Sequence, residues 1–304
     1  MTQTILAITG GTGFVGGRVI ELALAAGHGV RALTRRPQPP RPGVTWIAGA
    51  LDKTEALDTL VAGADAVLHV AGVVNAPDRA GFVAGNVTGT QAMVDATTRT
   101  GVRRFVHVSS LAAREPGVST YGWSKHEAEL VVAASSLDWT MVRPPAIYGP
   151  GDMEMRDLFR MAKMGVALVP PGGRVSLIEV GDVAALLLKL AVSDPGKLIL
   201  EPDDGRDGGW SHAEMLRAMG VAVGAKRVSV IALPRAVLDL VARGDMLMRG
   251  SKAKLTRDRV GYLCHPDWTA APEKRPPASL WTPQVPTPQG LAHTAAWYRA
   301  NGLL

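Results

Sequence analysis

The most constraining feature of this chain lies close to its N-terminus. Thr4-Ile5-Leu6-Ala7-Ile8 is a short apolar run that breaks into Thr9-Gly10-Gly11-Thr12-Gly13-Phe14-Val15-Gly16-Gly17 and then into an amphipathic stretch, Arg18 to Ala26. The order predicts strand, tight turn, helix. A backbone that turns sharply off a strand needs positions with φ > 0, and one that lies against a pyrophosphate can carry no Cβ there, so glycine is required on both counts. Gly16 lets the helix pack close to the strand. The helix then opens with unpaired N–H groups and the positive end of its dipole at the turn, which suits a dinucleotide diphosphate. Gly11, Gly13 and Gly16 satisfy the short glycine spacing, while Gly10, Gly13 and Gly16 satisfy the longer one. The spacing alone is weak; the preceding strand-like run, the helix and a second strand-like run, Val30 to Thr34, give it meaning.

Strand-like and helix-like runs keep alternating through the first half. Val44 to Ala48, Asp65 to Val70, Arg104 to Ser109 and Trp139 to Arg143 read as strands, with helix-compatible segments at Thr54 to Val61, Gly81 to Thr100 and Tyr121 to Ser135. Such units build a doubly wound parallel Rossmann sheet, an α/β fold with helices on both faces and its ligand beyond the C-terminal strand ends. Prolines at 37, 39, 40 and 42 predict a stiff excursion after the second strand, and Pro144-Pro145 stops the sixth. After Gly149 the alternation fails. Val175 to Val180 is expected to return to the sheet, followed by an apolar helix at Val183 to Val192. The expected division is a dinucleotide-binding domain of residues 1–147 and 174–196, and a smaller, irregular substrate lobe of 148–173 and 197–304. Residues 266–288 hold seven prolines and predict an extended strap before a final helix, Gln289 to Ala300.

At 304 residues and 47% hydrophobic, the chain can bury a sizeable core. Its formal charge is +6, yet no lysine or arginine block exceeds two in a row, which points to anionic small molecules and not to nucleic acid. The single cysteine, Cys264, can form no intramolecular disulfide and no thiolate metal site. No apolar run approaches the ~20 residues of a membrane span, and no leader-like segment opens the chain. These features together predict a cytoplasmic protein without a thiolate metal site or an integral membrane segment.

Where the second strand ends, an acidic residue would accept bonds from the ribose 2′-OH of NAD, whereas arginine would pair with the 2′-phosphate of NADP. Here the strand ends Leu33-Thr34-Arg35-Arg36. Two guanidiniums and no carboxylate predict NADP(H) over NAD(H), a charge-assisted contact being worth about 1.5–3 kcal/mol. The alternative is a pair of merely solvated loop charges. A second constellation is Tyr121-Gly-Trp-Ser-Lys125, preceded by Ser109-Ser110 at a strand end. Four residues along a helix put Tyr121 and Lys125 on one face. A phenol near pKa ~10 is a poor acid/base at neutrality, and the ammonium is expected to lower it. Tyr121 then exchanges a proton with a substrate oxygen that Ser110 hydrogen-bonds.

These residues resemble the extended short-chain dehydrogenases/reductases. The resemblance rests on Thr9 to Gly16, His69-Val70-Ala71-Gly72, Asn86-Val87-Thr88-Gly89-Thr90, Ser109-Ser110, Tyr121 with Lys125, Arg143-Pro144-Pro145-Ala146-Ile147-Tyr148-Gly149-Pro150 and Val180-Gly181-Asp182-Val183. It runs in order through about the first 195 residues, then continues loosely through Gly290-Leu291 and Trp297-Tyr298. It implies a catalytic triad of Ser110, Tyr121 and Lys125, with Lys125 also on the nicotinamide ribose and Asn86 supporting the active-site helix. Cofactor contacts are implied for Gly10, Thr12, Gly13, Phe14, Val15, Gly16, Leu51, Val70, Ala71, Gly72, Pro144 and Ile147, beside Arg35, Arg36, Tyr121 and Lys125. A homodimer pairing helices beside the sheet is also implied. The sequence departs from the family at Ala50, where many members place an aspartate near the adenine; neighbouring Asp52, with Glu55, reads as a helix N-cap. Only ten residues separate Ser110 from Tyr121, leaving little room for a lid there.

Other candidates have ordinary readings. His69 and His107 read as core or cleft histidines, not metal ligands. Arg156, Arg160 and Lys163 share a helical face that is either solvated or set for a substrate phosphate. Met155, Leu158, Phe159, Met161 and Met164 lie opposite and suit either a greasy pocket or lobe core. Leu233 to Met248 is an apolar stripe flanked by Arg243, Arg249, Lys252 and Lys254, read as inter-lobe packing in preference to membrane-surface contact. Three functions follow: an NADP(H)-dependent oxidoreductase for a carbonyl/alcohol pair in a rather apolar small molecule, a nucleotide-sugar epimerase/dehydratase with tightly bound NAD(P), and a non-catalytic NADP-binding scaffold or sensor.

Overall fold

The computed structural model describes residues 3–250, 253 and 255–304. Its N-terminal half alternates as the sequence predicts: β1 (Ile5–Thr9), α1 (Phe14–Ala25), β2 (Gly29–Thr34), β3 (Val44–Ala48), α2 (Thr54–Val61), β4 (Ala66–His69), a short α3 (Arg79–Phe82) running into a π-helical turn (Val83–Thr88) and α4 (Gly89–Arg99). There follow β5 (Arg104–Val108), a 3-10 turn (Leu111–Arg114), α5 (Thr120–Ala133) and β6 (Asp138–Val142). Strands β4 and β5 are buried at every position, as expected where helices cover both faces. Alternate residues of β1 feed opposite layers: Leu6 and Ile8 meet Val19 and Ile20 of α1, while Ala7 meets Leu57, Met93 and Phe105.

The remaining elements are β7 (Ala146–Tyr148), α6 (Arg156–Lys163), β8 (Val166–Val169), β9 (Arg174–Val175), β10 (Leu177–Glu179), α7 (Val180–Ala191), β11 (Leu198–Leu200), β12 (Trp210–Ser211), α8 (His212–Val223), β13 (Ser229–Ala232), α9 (Arg235–Arg249), α10 (Arg257–Leu263), β14 (Asp267–Trp268) and α11 (Thr287–Ala300). The main sheet has seven strands in the order β11-β6-β5-β4-β1-β2-β3, all paired in parallel. The chain runs outward from β1 in one direction, then restarts at β4 on the other side. Thr9 and His69 are register partners across that switch point, so the turns after β1 and β4 open into one crevice.

Three expectations are corrected. Val175 to Val180 does not return to the main sheet: it divides at Ser176, with β9 joining β12 and β14 while β10 pairs with β7. The seventh strand is instead β11, from a segment expected in the second lobe; three residues beside β6 suffice because α7 has already returned the chain to the sheet. Asp52 does not cap α2, whose N-cap is Lys53 with no side-chain bond; its carboxylate lies 3.7 Å from the Lys53 ammonium in solvent.

The lobe core holds Phe159, Leu216, Met219, Leu291 and Tyr298, with Met155 also inside it and Leu158 and Met161 against it. The apolar face of α6 is therefore core, apart from Met164, which is 73% exposed. The proline-rich strap crosses back to the sheet domain, where the Gln284 and Val285 N–H groups donate to Asp182 at the start of α7. The apolar stripe of α9 is not inter-lobe packing: Ala242 is its one fully buried residue, and Leu240 and Leu247 are 68% and 89% exposed. Lys252 and Lys254, read as flanking that stripe, lie outside the described residues.

Candidate active site

The glycine turn closes tightly around β4. Gly10 has φ +72°, and a Cβ there would stand 2.7 Å from the Ala71 nitrogen; a Cβ on Gly16 would stand 2.2 Å from the Gly10 carbonyl oxygen. Neither position tolerates a side chain. Helix α1 has no side chain capping its N-terminus and no acidic residue in its first turn. Its first N–H groups and positive dipole end are thus free for an anion. Thr12 and Gly13 are exposed at the rim, Phe14 and Val15 half-buried, and the Phe14 ring lies against Gly151. Arg35 and Arg36 are exposed just past β2, and their guanidiniums make no ion pair among the described residues. A turn that a Cβ would fill and an open helix terminus together fit a dinucleotide.

Around this crevice the structure gathers most of the remaining predicted residues. Val70 packs on the core behind the turn, and Ala71 accepts a place in it through its N–H, which donates to the Thr9 hydroxyl at 3.2 Å. Gly72 faces both the Asn86 carboxamide and the Lys125 ammonium. Leu51 packs against Gly89 at the start of α4. Ile147 lies half-buried on β7, and the Pro144 carbonyl accepts from the Leu111 N–H at 3.1 Å, which fastens that strand exit to the turn carrying Ser110.

Ser110 caps that 3-10 turn, its hydroxyl accepting from the Ala112 N–H at 3.2 Å. Tyr121 sits in the first turn of α5, which Ser119 caps through the Gly122 N–H. The Lys125 ammonium is buried and donates to the Val108 carbonyl at 2.7 Å. Asn86, inside the π-helical turn, clamps Val73 at both backbone atoms and donates to the Ser124 hydroxyl at 2.8 Å. It therefore fixes α5 against the β4 exit, a use typical of π-turns at functional sites.

The electrostatics correct one expectation. Burial raises the Tyr121 pKa above its ordinary value, and the opposing pull comes from the nearby Ser110 side chain, not from Lys125. Lys125 is itself shifted down to about 8, first because burial penalises its charge, against which Glu129 works. Tyr121 consequently holds its proton throughout the neutral range.

Glu129 was not singled out by its spacing, although Tyr121, Lys125 and Glu129 repeat every four residues along α5. Its carboxylate accepts from Ser109 at 2.5 Å and from Arg143 at 2.8 and 2.6 Å. Arg143 continues to Glu201 at 3.2 Å, which Arg114 reaches at 3.4 Å. A buried charge chain thereby braces the strand end that carries Ser110. His69 is satisfied by Thr9 and Thr90 and stacks on His107; burial lowers both pKa values, that of His69 to about 3. Neither ring nitrogen of His107 has a partner, and nothing in the fold accounts for it. Among the described residues, no group of three or more His, Cys, Asp or Glu side chains is placed to hold a metal ion.

Sequence reasoning also missed a set of aromatics. Tyr121 is flanked by Phe82 at 6.3 Å and by Tyr262 at 6.4 Å, ring centre to ring centre, and Tyr262 stacks on Trp268 at 4.8 Å. Helix α10 is held there by Asp258, which accepts from the Thr120 N–H and hydroxyl at 2.7 and 2.9 Å. No local pattern announces a contact across 138 residues.

Comparison with known proteins agrees with this geometry. A family model described as NAD(P)H-binding matches residues 10–192. The chain is 36% identical over 312 residues to a ceramide reductase of Caulobacter vibrioides, covering 99% of this chain and 96% of that one. It is 29% identical over 198 residues to a 3-beta-hydroxysteroid dehydrogenase of Mycolicibacterium neoaurum, covering 55% and 54% of the two chains. Among solved structures, MoeE5 in complex with UDP-glucuronic acid and NAD superposes with a TM-score of 0.75 over 98% of this chain and 99% of that one, at 22% identity, a likeness of fold.

Proposed function

The chain belongs to the extended short-chain dehydrogenase/reductase family and is an oxidoreductase, and from that premise we propose that it reduces a ketone in an apolar, long-chain molecule of the ceramide class with NADPH. The observation that carries this reading is the aromatic cluster around the Tyr121 ring, with Phe82 and Tyr262 against it and Trp268 stacked behind Tyr262. Phe82 and Trp268 are buried and Tyr262 is half-buried, so the proton donor stands in apolar surroundings that suit an acyl or sphingoid chain better than a sugar. The full-length likeness to a ceramide reductase supports it.

The glycine turn and the N-terminus of α1 hold the dinucleotide, with Arg35 and Arg36 at the 2′-phosphate. When bound, this group supplies the hydride. The chain's own residues handle the oxygen: Ser110 donates a hydrogen bond to the carbonyl, and Tyr121 passes its proton to that oxygen as negative charge develops. Because burial keeps Tyr121 protonated, the site is set for reduction near neutral pH. Lys125 supplies the positive charge behind it.

A nucleotide-sugar substrate would need cationic groups for its diphosphate in the lobe. Two of those that the sequence offers are hydrogen-bonded within the chain, Arg160 to the Leu303 carbonyl and Arg174 to the Gly208 and Gly209 carbonyls, while Arg156 makes a 3.7 Å ion pair to Asp157 and its Nε has no hydrogen-bond partner among the described residues. An apolar substrate asks nothing of them. The test is NADPH oxidation by the purified chain with a ketone-bearing ceramide-type lipid in detergent. Activity is expected, and Tyr121→Phe should lose about 10²–10⁴-fold in kcat with NADPH affinity unchanged. Conversion of UDP-glucose to an epimer without net NADPH consumption would replace this reading with the epimerase one.

A further inference from the structure

Helix α9 is amphipathic the wrong way round. Val237, Leu240, Val241, Leu247 and Met248, spaced as one helical face, are between 40% and 89% exposed. The opposite face turns Ala242 inward with Leu238 half-buried, and the two aspartates, Asp239 and Asp245, are also on the sheltered side. A helix of an isolated water-soluble fold would do the reverse. The preceding strand continues the anomaly: Leu168 and Ile231 are register partners of β8 and β13, and each is nearly half exposed. Single exposed apolar residues need no explanation, but a continuous row of this length does.

The charge around this row is equally uneven. Residues 235–259 hold seven Lys/Arg against three Asp/Glu, a net +4 within a chain whose total is +6. Arg235, Arg243 and Arg249 are all exposed on the helix itself. An outward apolar stripe of large residues rimmed by cations matches a bilayer interface with anionic headgroups, where the apolar face enters the acyl boundary and guanidiniums meet phosphate. A second copy of this chain would bring the same positive charge against itself.

The position of α9 gives the match a purpose. Its sheltered face packs on α10, and Tyr262 of α10 is the residue that stands against Tyr121. One helix separates the outward stripe from the catalytic hydroxyl.

We propose that α9, with its basic flanks, is a membrane-docking element that seats the enzyme on an anionic lipid surface with the active-site entrance beside it. The docking stands on the exposed stripe and the charge; only its role in presenting a lipid substrate rests on the function proposed above. The test is co-sedimentation of the full-length protein with vesicles of phosphatidylglycerol and phosphatidylcholine, at about 0.1 M salt, where charge is screened over about 10 Å. Binding is expected, at least about tenfold weaker on phosphatidylcholine alone. The double variant Leu240→Glu/Leu247→Glu should lose at least about tenfold in partitioning, and Arg243→Glu/Arg249→Glu should lose the preference for anionic vesicles. Val221→Glu, at an apolar residue 79% exposed on α8, should bind as the wild type does. Reduction of a short, water-soluble ketone should be equal in wild type and the leucine variant. No vesicle binding by the wild type, equal loss in Val221→Glu, or a stable dimer that Leu240→Glu/Leu247→Glu dissociates would each overturn the proposal. Absence of ketone reduction alongside intact vesicle binding would instead count against the catalytic reading alone.

Discussion

The two halves of this molecule meet at Tyr121 and are built by different rules. In the sheet domain, spatial neighbours follow chain order, β1 to β3 on one side of the switch point and β4 to β6 on the other. One charge chain there is buried and answered, Glu129 with Arg143 and Glu201, beside surface pairs such as Arg99 with Asp58. In the lobe, β9 is sandwiched between β12 and β14, which come from well downstream, the ion pairs are largely exposed, and α9 presents apolar side chains to the outside. The nucleotide end is thus fixed by short-range geometry that any member of the family must share. The lobe is assembled from remote segments and is free to differ.

That contrast can be broken by mutation. Glu129→Ala removes one partner of a buried pair and leaves the Arg143 guanidinium under-compensated, so unfolding free energy should drop by about 3–5 kcal/mol. Arg160→Ala removes an ion pair with Asp157 that is half exposed on both sides and should cost no more than about 1 kcal/mol. Urea titration of both variants checks this; similar losses would erase the distinction between the buried chain of the sheet domain and the surface pairs of the lobe. Next in size is Arg35→Ala, expected to weaken NADPH by about ten- to a hundredfold while NADH changes little, as measured by fluorescence titration. Equal losses for the two nucleotides would leave Arg35 a solvated loop charge. Across the site, Tyr262→Ala should raise KM for an apolar ketone by about tenfold, since the apolar area it would cover on the substrate is worth on the order of 1–2 kcal/mol, with kcat and NADPH affinity near wild type.

The same contrast decides how much was legible in the sequence. Val44–Ala48 and Thr54–Val61 form as read because period-2 and period-3.6 patterns are local properties. The glycine turn was legible because only glycine meets the contacts at Gly10 and Gly16. The placing of Lys125 one helical turn from Tyr121 was legible, but its effect on Tyr121 was not, because the spacing that puts two side chains on one face does not say that the ammonium turns to the Val108 carbonyl. Leu198–Leu200 is too short to announce itself as a strand, and Val175–Val180 reads as one run although Ser176 divides it between two sheets. Tyr262, Trp268 and the outward face of α9 were hidden for one reason: amphipathic spacing shows that a face exists, and only tertiary packing shows which way it turns.

The mildest effect separates the two roles of one residue. Lys125 has its pKa lowered to about 8 by burial, so in the free enzyme its charge falls away as pH rises through that value. Reductive kcat/KM, which reports groups of the free enzyme, should therefore be about half as large at pH 8 as on its acidic plateau, and Lys125→Arg, which cannot deprotonate, should remove that limb from whatever activity it retains. Stability responds with the opposite sign. Above pH 8 the folded chain has released this proton while the unfolded chain keeps it until about 10.5. The unfolded state binds more protons in that window, so the Lys125 contribution to stability rises with pH there. Thermal melts of wild type and Lys125→Met between these pH values should show the wild type gaining on the variant while its reductase activity declines. Parallel losses of activity and stability would mean that the limb reports general unfolding and not this ammonium.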